Sequence, residues 1–478
     1  MRTLVWFRGK DLRVGDHVPL RDAAKAGDVV PLFVLDPYFF APERAKLLPN
    51  RIQFLLDSLA ELARSIDELG SRLVVVAGKS VDVVPRVAKA YAVDRVVAHR
   101  WTEPVGRERD RRVKAALDVP FDLHEGETLA APGQVMTGAG KPFSVFGPFA
   151  RAFAKVVEIE KPILPPRALP KLPRAEHAVK ESKIPDITDL GLARNEGVIE
   201  GGEKAAHKRL AKFLRGPGGH YETGRNLMGE DGTSRMSQDL KFGLLTPRQI
   251  WTRTEAALEQ HPKASRIYTN ELVWRELAYH VLWHNPQVLA EPYRPVWNGF
   301  PWRKDRKAYD AWENGQTGYP IVDASARQLL ATGFVHNRAR MISASFLAKH
   351  LLLDFRQGEA HYLKHLTDGD WASNDLGWQW STGCGVDAQP WFRVFNPVLQ
   401  GEKFDKDGAY VRRWVPELAK LPDRWIHKPW DAPPEVLAKA GVTLGKTYPE
   451  PIVEHTYARK RFLAAAQGHL GSAAKRKA

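Results

Sequence analysis

Thr3-Leu-Val-Trp-Phe-Arg-Gly-Lys-Asp-Leu-Arg13 begins with a short β-branched and aromatic run and turns polar at Arg8. A run this short, apolar at successive positions, reads as a strand buried on both faces. The same pattern returns at Val29–Leu35, Arg72–Ala77, Arg95–His99 and Phe121–His124, with amphipathic stretches at Arg51–Leu69 and Val81–Ala92. Strands alternating with helices predict an α/β domain built on a doubly wound parallel sheet. The turn Arg8–Arg13 lacks the Gly-x-Gly-x-x-Gly fingerprint, so a nicotinamide dinucleotide site is not supported. A secondary cofactor of such a sheet is expected at the carboxyl ends of its strands.

Further along, Pro162, Pro165, Pro166, Pro170, Pro173 and Pro185 fall among Lys, Arg and Glu, which predicts an extended linker wrapped over a surface. From about Ala205 the apolar spacing becomes i, i+3, i+4. Ala205–Arg215, Pro247–Gln260, Ser265–His284, Ala324–Leu353 and Ala360–Leu366 are expected helices, so the second domain should be all-α. The expected division is 1–130 α/β, 131–204 linker, 205–470 helical and 471–478 a frayed basic tail.

A chain of 478 residues has room for two cores. No 18-residue apolar run and no export signal is visible, so a cytoplasmic location without membrane contact is expected. The single cysteine, Cys384, excludes disulfides, Cys-ligated zinc and a four-Cys iron–sulfur cluster, and no metal is expected. Net charge is +15, which suits a polyanion. Thirteen of the 15 tryptophans lie between Trp251 and Trp430, interleaved with basic stretches such as Arg303-Lys-Asp-Arg-Lys307 and Arg412-Arg413. Cations for phosphate and flat faces for bases are what unstacked nucleic acid needs.

Three segments carry the chemistry. In Asn270-Glu-Leu-Val-Trp-Arg-Glu276, the spacing puts Glu271, Trp274 and Arg275 on one helix face, either a pocket wall or a surface ion pair. In Phe334-Val-His-Asn-Arg-Ala-Arg-Met341, Phe334, Asn337 and Met341 share a face flanked by Arg338 and Arg340, while His336 reads as structural. Asp368-Gly-Asp-Trp-Ala-Ser-Asn-Asp-Leu-Gly-Trp-Gln-Trp380 packs indoles beside carboxylates and Asn374, as a site for a flat ligand would. Upstream, Gly232-Thr-Ser-Arg-Met-Ser237 is either an ordinary loop or one whose hydroxyl and backbone donors take a pyrophosphate, with Tyr221 able to close over it.

These segments resemble the DNA photolyases of the cryptochrome/photolyase family, of the class I-like cyclobutane-dimer type, over essentially the whole chain. Also matching are Val5–Arg13, Gly318-Tyr-Pro-Ile-Val-Asp-Ala324, Gly377-Trp-Gln-Trp380 and Trp391-Phe-Arg-Val-Phe-Asn-Pro397. The resemblance implies an N-terminal sheet domain and a large helical FAD-binding domain. It places Tyr221, Thr233, Ser234, Arg235, Met236 and Ser237 on the FAD phosphates and ribose. Arg340 is expected to pair with Asp368, Asp370 to meet the flavin edge and Asn374 its N5, with Arg275, Glu271 and Asn337 also near the cofactor. Glu271, Trp274, Trp380, Asn337 and Met341 are expected to hold a flipped-out dimer, and Arg338, Arg393 and Gln400 the DNA.

The implied reaction is repair of cyclobutane pyrimidine dimers by light-driven electron transfer from reduced FAD, with the protein acting on UV-damaged DNA as a monomer. The related (6-4) class places histidines where Asn337 and Met341 stand here, which favours the cyclobutane lesion. Of the family's three photoreduction tryptophans, Trp378 and Trp302 match, but the middle position is Phe355. Repair from pre-reduced flavin is therefore expected to be intact and photoreduction to be either slow or rerouted, with Trp380, Trp371, Tyr362 and Trp391 as the candidates for a bypass. An antenna chromophore is also implied, whether folate, deazaflavin or a second flavin. The alternative is a cryptochrome-type photoreceptor. Such receptors usually carry a long C-terminal extension, and only about ten residues follow the last expected helix.

Overall fold

The computed structural model describes residues 1–475. Strands β1 (Arg2–Phe7), β2 (Asp28–Leu35), β3 (Val74–Ala77), β4 (Arg95–His99) and β5 (Phe121–His124) form one parallel sheet in the order β3-β2-β1-β4-β5. The opening strand is central because its side chains are apolar on both faces; Leu4, Val5 and Phe7 are all fully buried. Trp6 pairs in register with Leu32, and Val5 with both Pro31 and Val97. Pro31 costs the ladder one donor, which the sheet tolerates opposite Val5.

Helices α1 (Val18–Ala26), α2 (Pro49–Glu68), α3 (Ser80–Ala90) and α4 (Pro104–Ala116) accompany the strands. The apolar pattern foretold α2 and α3 but not the other two. In α4 only Gly106, Asp110 and Val113 are buried, too few to leave a periodic trace among its charges. β3 starts at Val74, two residues later than expected, and the Arg72 side chain makes a bidentate pair with Glu181.

The proline-rich segment does wrap over the α/β layer. Leu169 N–H donates to Leu69 O (2.7 Å), Glu176 N–H to Ala90 O (2.8 Å) and Ser182 N–H to Val75 O (2.8 Å). The last bond covers the open side of the edge strand β3, while Leu172, Ala175 and Val179 pack on the sheet's core. Within 131–204 lie α5 (Phe146–Val156) and a 3-10 turn, Ile187–Leu190, neither of them foreseen, and a further helix starts at Glu203.

The helical part contains α6 (Glu203–Arg215), α7 (Pro247–Ala257), α8 (Pro262–His284), α9 (Arg306–Glu313), α10 (Pro320–Thr332), α11 (Asn337–Ser345), α12 (Phe355–His365), α13 (Trp371–Thr382), α14 (Pro397–Phe404) and α15 (His455–Lys475). The single helix expected over Ala324–Leu353 is broken in two. Gly333 closes α10 at φ 64°, where only glycine sits without strain, and the His336 Nδ1 caps α11 by accepting from Arg338 N–H at 3.1 Å. α11 then loosens into a π-type turn, Phe346–His350. α15 continues to Lys475, so most of the tail expected to fray is helical; Arg476 to Ala478 lie outside the described residues.

By contacts the chain forms two compact units that interleave in sequence. One comprises Met1–Gly219, Ser234–Pro286 and Thr367–Gly369; the other comprises His220–Thr233, Gln287–Leu366 and Asp370–Ala478. The first holds the sheet core; the second holds an aromatic core around Trp297, Trp312, Tyr362, Trp378 and Tyr410.

Candidate active site

In the first unit, α8 is buried nearly all round, yet it carries Glu271, Trp274 and Arg275 half-exposed. Trp274 lies flat on Phe146 of α5, with ring centroids 3.8 Å apart and planes 2° from parallel. Arg275 has other partners: its Nη1 donates to Glu127 O at 2.7 Å and its guanidinium covers the Tyr279 ring at 4.2 Å. Ser234 hydrogen-bonds the Tyr268 phenol, whose pKa is raised by burial, and Glu271 adds to that rise through its charge. Arg235 adopts φ 51°, which turns the chain sharply just before the short helix Ser237–Lys241. Met236 is buried, and Asp368 is buried in the short segment Thr367–Gly369.

In the second unit, Tyr221 is buried beneath the Arg225 guanidinium at 5.6 Å. Thr233 follows Gly232, which must be glycine: a Cβ there would lie 2.5 Å from Gly224 O. On α11, Asn337 is exposed and donates from Nδ2 to Met341 Sδ at 3.9 Å, so the two share a face as expected. Arg338 reaches Asn226 Oδ1 (2.6 Å) and covers Phe404, whereas Arg340 turns inward to Val335 O (2.8 Å). Asp370 caps α13 by accepting from Ser373 N–H (2.9 Å), which fixes the helix start and hence the direction of Asn374. Asn374 in turn donates from Nδ2 to Glu359 O at 3.2 Å. Trp380 is half-buried, Arg393 is exposed and Gln400 sits on α14 with a buried Oε1 that accepts no hydrogen bond among the described residues.

The tryptophans of the expected electron path have different ring neighbours. Trp378 is buried, and the rings touching it are Tyr362 (5.2 Å, edge-on) and Trp312 (6.0 Å, edge-on). Trp302 instead meets Phe355 at 6.4 Å. Tyr362 belonged to the expected detour; Trp312 did not, because its sequence neighbours on α9 give no hint that it packs against α13.

Two further groups were illegible in the sequence. Lys349 is fully buried in the π-type turn, its Nζ donating to Arg393 O at 2.9 Å, and burial pulls it down to about 7. It anchors the loop that carries Arg393. In the first unit Asp11, His17 and His99 converge within metal-ligand spacing. His17 Nδ1 accepts from Leu20 N–H (3.1 Å), so its proton sits on Nε2, 3.7 Å from Asp11 Oδ2, and His99 Nδ1 lies 3.0 Å from the same oxygen. Although burial opposes it, the two rings hold the Asp11 carboxyl below its ordinary range. His99 is within hydrogen-bond reach of that carboxylate, whereas His17 Nε2 is too far to bond it and has no hydrogen-bond partner among the described residues.

Residues 3–171 match the family model for DNA photolyase, and residues 268–468 the model for the FAD binding domain of DNA photolyase. The chain is 41% identical to a deoxyribodipyrimidine photo-lyase of Agrobacterium fabrum, covering 97% of each protein. It is 38% identical to the one of Escherichia coli, covering 97% of this chain and 98% of that one. Among solved structures, a bacterial class III photolyase from Agrobacterium tumefaciens matches with a TM-score of 0.90 at 39% identity, over 98% of this chain and 97% of that one. A cryptochrome from Synechocystis matches with a TM-score of 0.88 at 30% identity, over 97% and 99%. An archaeal photolyase from Sulfolobus tokodaii, solved with two FAD molecules, matches with a TM-score of 0.82 at 27% identity, over 98% and 100%. Among the described residues no helix is long and apolar enough to cross a membrane. With both family models matched in order and near-complete coverage by named enzymes, this chain belongs to the DNA photolyase family and carries its FAD-binding domain.

Proposed function

We propose that the protein splits cyclobutane pyrimidine dimers in UV-damaged DNA. The observation that carries this reading is the exposed Asn337–Met341 pair on α11. Neither side chain releases a proton near neutrality, so a lesion whose reversal needs an acid finds none there. A cyclobutane dimer, opened by an electron alone, needs none.

FAD fits the residues present. Thr233, Ser234 and Ser237 offer hydroxyl donors for its phosphates, and the close approach of Gly232 to Gly224 keeps that loop free of side-chain bulk. Bound and reduced, FAD supplies the light-driven electron. The chain's own groups do the rest. Asn374 has one amide N–H committed to Glu359 O, which leaves its Oδ1 to accept from a ring N–H. Glu271 hydrogen-bonds the extruded bases, and Trp274 and Trp380 stack on them, contributing roughly 1–3 kcal/mol per base. Arg338 and Arg393 meet phosphates, and the Gln400 amide nitrogen can donate to one.

The test is a UV-irradiated oligonucleotide incubated under blue light with the reduced holoprotein. Loss of dimers, followed by chromatography of the digested DNA, is expected. Intact dimers despite bound reduced flavin would overturn repair in favour of a photoreceptor, the reading to which the Synechocystis cryptochrome's likeness lends weight. A second chromophore would add an absorption band to that of FAD in the purified protein.

A further inference from the structure

Phenylalanine is far harder to oxidise than tryptophan or tyrosine, and the ring beside Trp302 is Phe355, which the family resemblance puts at the middle of the expected path. The side chains that touch Trp378 lead elsewhere. Trp312 stands 6.0 Å away, and beyond it Tyr309 is another 5.8 Å. Tyr362 is nearer to Trp378, at 5.2 Å, but it is fully enclosed and bonded to serine hydroxyls, Ser325 Oγ at 3.2 Å among them. Oxidised there, the phenol has no base to take its proton. Tyr309 is placed differently. Its hydroxyl lies 3.4 Å from Gln357 O, Glu313 follows one turn on along α9, and the Arg306 guanidinium covers the ring at 5.0 Å. The Glu313 side chain is 22% exposed, so a proton received there has a way out to water.

We infer that Trp378, Trp312 and Tyr309 form a photoreduction relay in this chain, with Glu313 as its proton acceptor. The inference rests on the reading that Trp378 is the donor next to the flavin. The Trp378 indole gives one electron to light-excited oxidised FAD. Trp312 refills Trp378, and Tyr309 refills Trp312 while its phenolic proton passes to the Glu313 carboxylate. The sum is a cofactor reduced by one electron, a neutral Tyr309 phenoxyl radical and a protonated Glu313. An added thiol returns a hydrogen atom to Tyr309, and Glu313 releases its proton to water. Burial and the Glu313 charge push the Tyr309 phenol up to about 12, so electron and proton must leave together. Trp312 stays in place because its Nε1 donates to Ser343 Oγ at 3.1 Å.

The experiment is flash photolysis of the oxidised, FAD-loaded protein, with the radical identified by transient absorption and electron paramagnetic resonance. A neutral tyrosyl signal is expected. Tyr309→Phe keeps the packing and should leave a short-lived tryptophan cation in its place, and Trp312→Phe should do the same. Glu313→Gln should slow tyrosyl formation and abolish its dependence on heavy water. A tyrosyl signal untouched by Tyr309→Phe, or a radical lost on Trp302→Phe alone, overturns the relay. Photoreduction unaffected by Trp378→Phe would instead overturn the placement of Trp378 on which it rests.

Discussion

Phe146 and Trp274 on the one hand, and Trp312, Tyr362 and Trp378 on the other, are aromatic groups of opposite build. The first pair is half-exposed and coplanar, with planes 2° apart. The second group is buried, and Trp378 meets both of its neighbours edge-on, at 75° and 86°. Aromatic rings left to themselves prefer offset or edge-to-face packing, so the coplanar stack is imposed by α5 and α8. A ring backed flat on one side presents a flat face on the other, which is what a base stacks on. Rings packed edge-on fill space densely and leave no free face, which suits a core through which charge moves. Exposure, more than angle, separates a binding surface from a conduit, since Trp312 and Tyr362 in the buried group also lie near parallel, at 20°.

The largest effect should come from the buried group. Trp378→Phe is expected to slow photoreduction of oxidised flavin by an order of magnitude or more while repair from chemically reduced flavin is nearly unchanged. Comparing flash-induced reduction with dimer loss in one preparation checks this. If both fall together, the two groups do not divide the labour.

Next comes the exposed pair. Trp274→Ala should weaken binding to dimer-containing DNA by roughly 1–3 kcal/mol, measured by titration against undamaged DNA. Phe146→Leu should cost less, about 0.5–1.5 kcal/mol, and nothing further in the Trp274→Ala background, because its only contribution is to hold the indole. Rescue by Phe146→Tyr would sharpen this point.

Charge gives a smaller, sequence-blind term. Removing Arg338 or Arg393 should lower affinity alike for damaged and undamaged DNA and reduce the salt slope by about 1 each.

The smallest effect concerns pH. Burial holds His350 and His361, both in the unit with the aromatic core, down to about 3. Their folded pKa values lie below the unfolded one, so the unfolded chain binds more protons and stability falls as pH drops from about 6.5 toward 3. Thermal melts near pH 7 and near pH 5 should show a loss that His350→Asn reduces.

The strands β1 to β4 were legible because burial on both faces writes an apolar run, whereas β5, Phe-Asp-Leu-His, matches its expected bounds with only Phe121 buried. α4 was not, since it buries three positions in thirteen. The break at Gly333 was missed because an apolar rhythm resumes after it, and only the backbone shows the left-handed turn. Among site residues, the Asn337–Met341 pair follows from helical spacing alone, being four apart on one helix. Arg275 could not be placed that way, because a flexible side chain goes to whichever acceptor the fold brings near, here Glu127 O.

Residue order by itself determined the parallel sheet, the helical remainder and the chemistry-bearing segments, because periodicity and local motifs act over a few residues. What stands beside Trp378 was decided only in three dimensions. Trp312 lies 66 positions before it and reaches it through the packing of α9 against the aromatic core, a contact that no local pattern encodes.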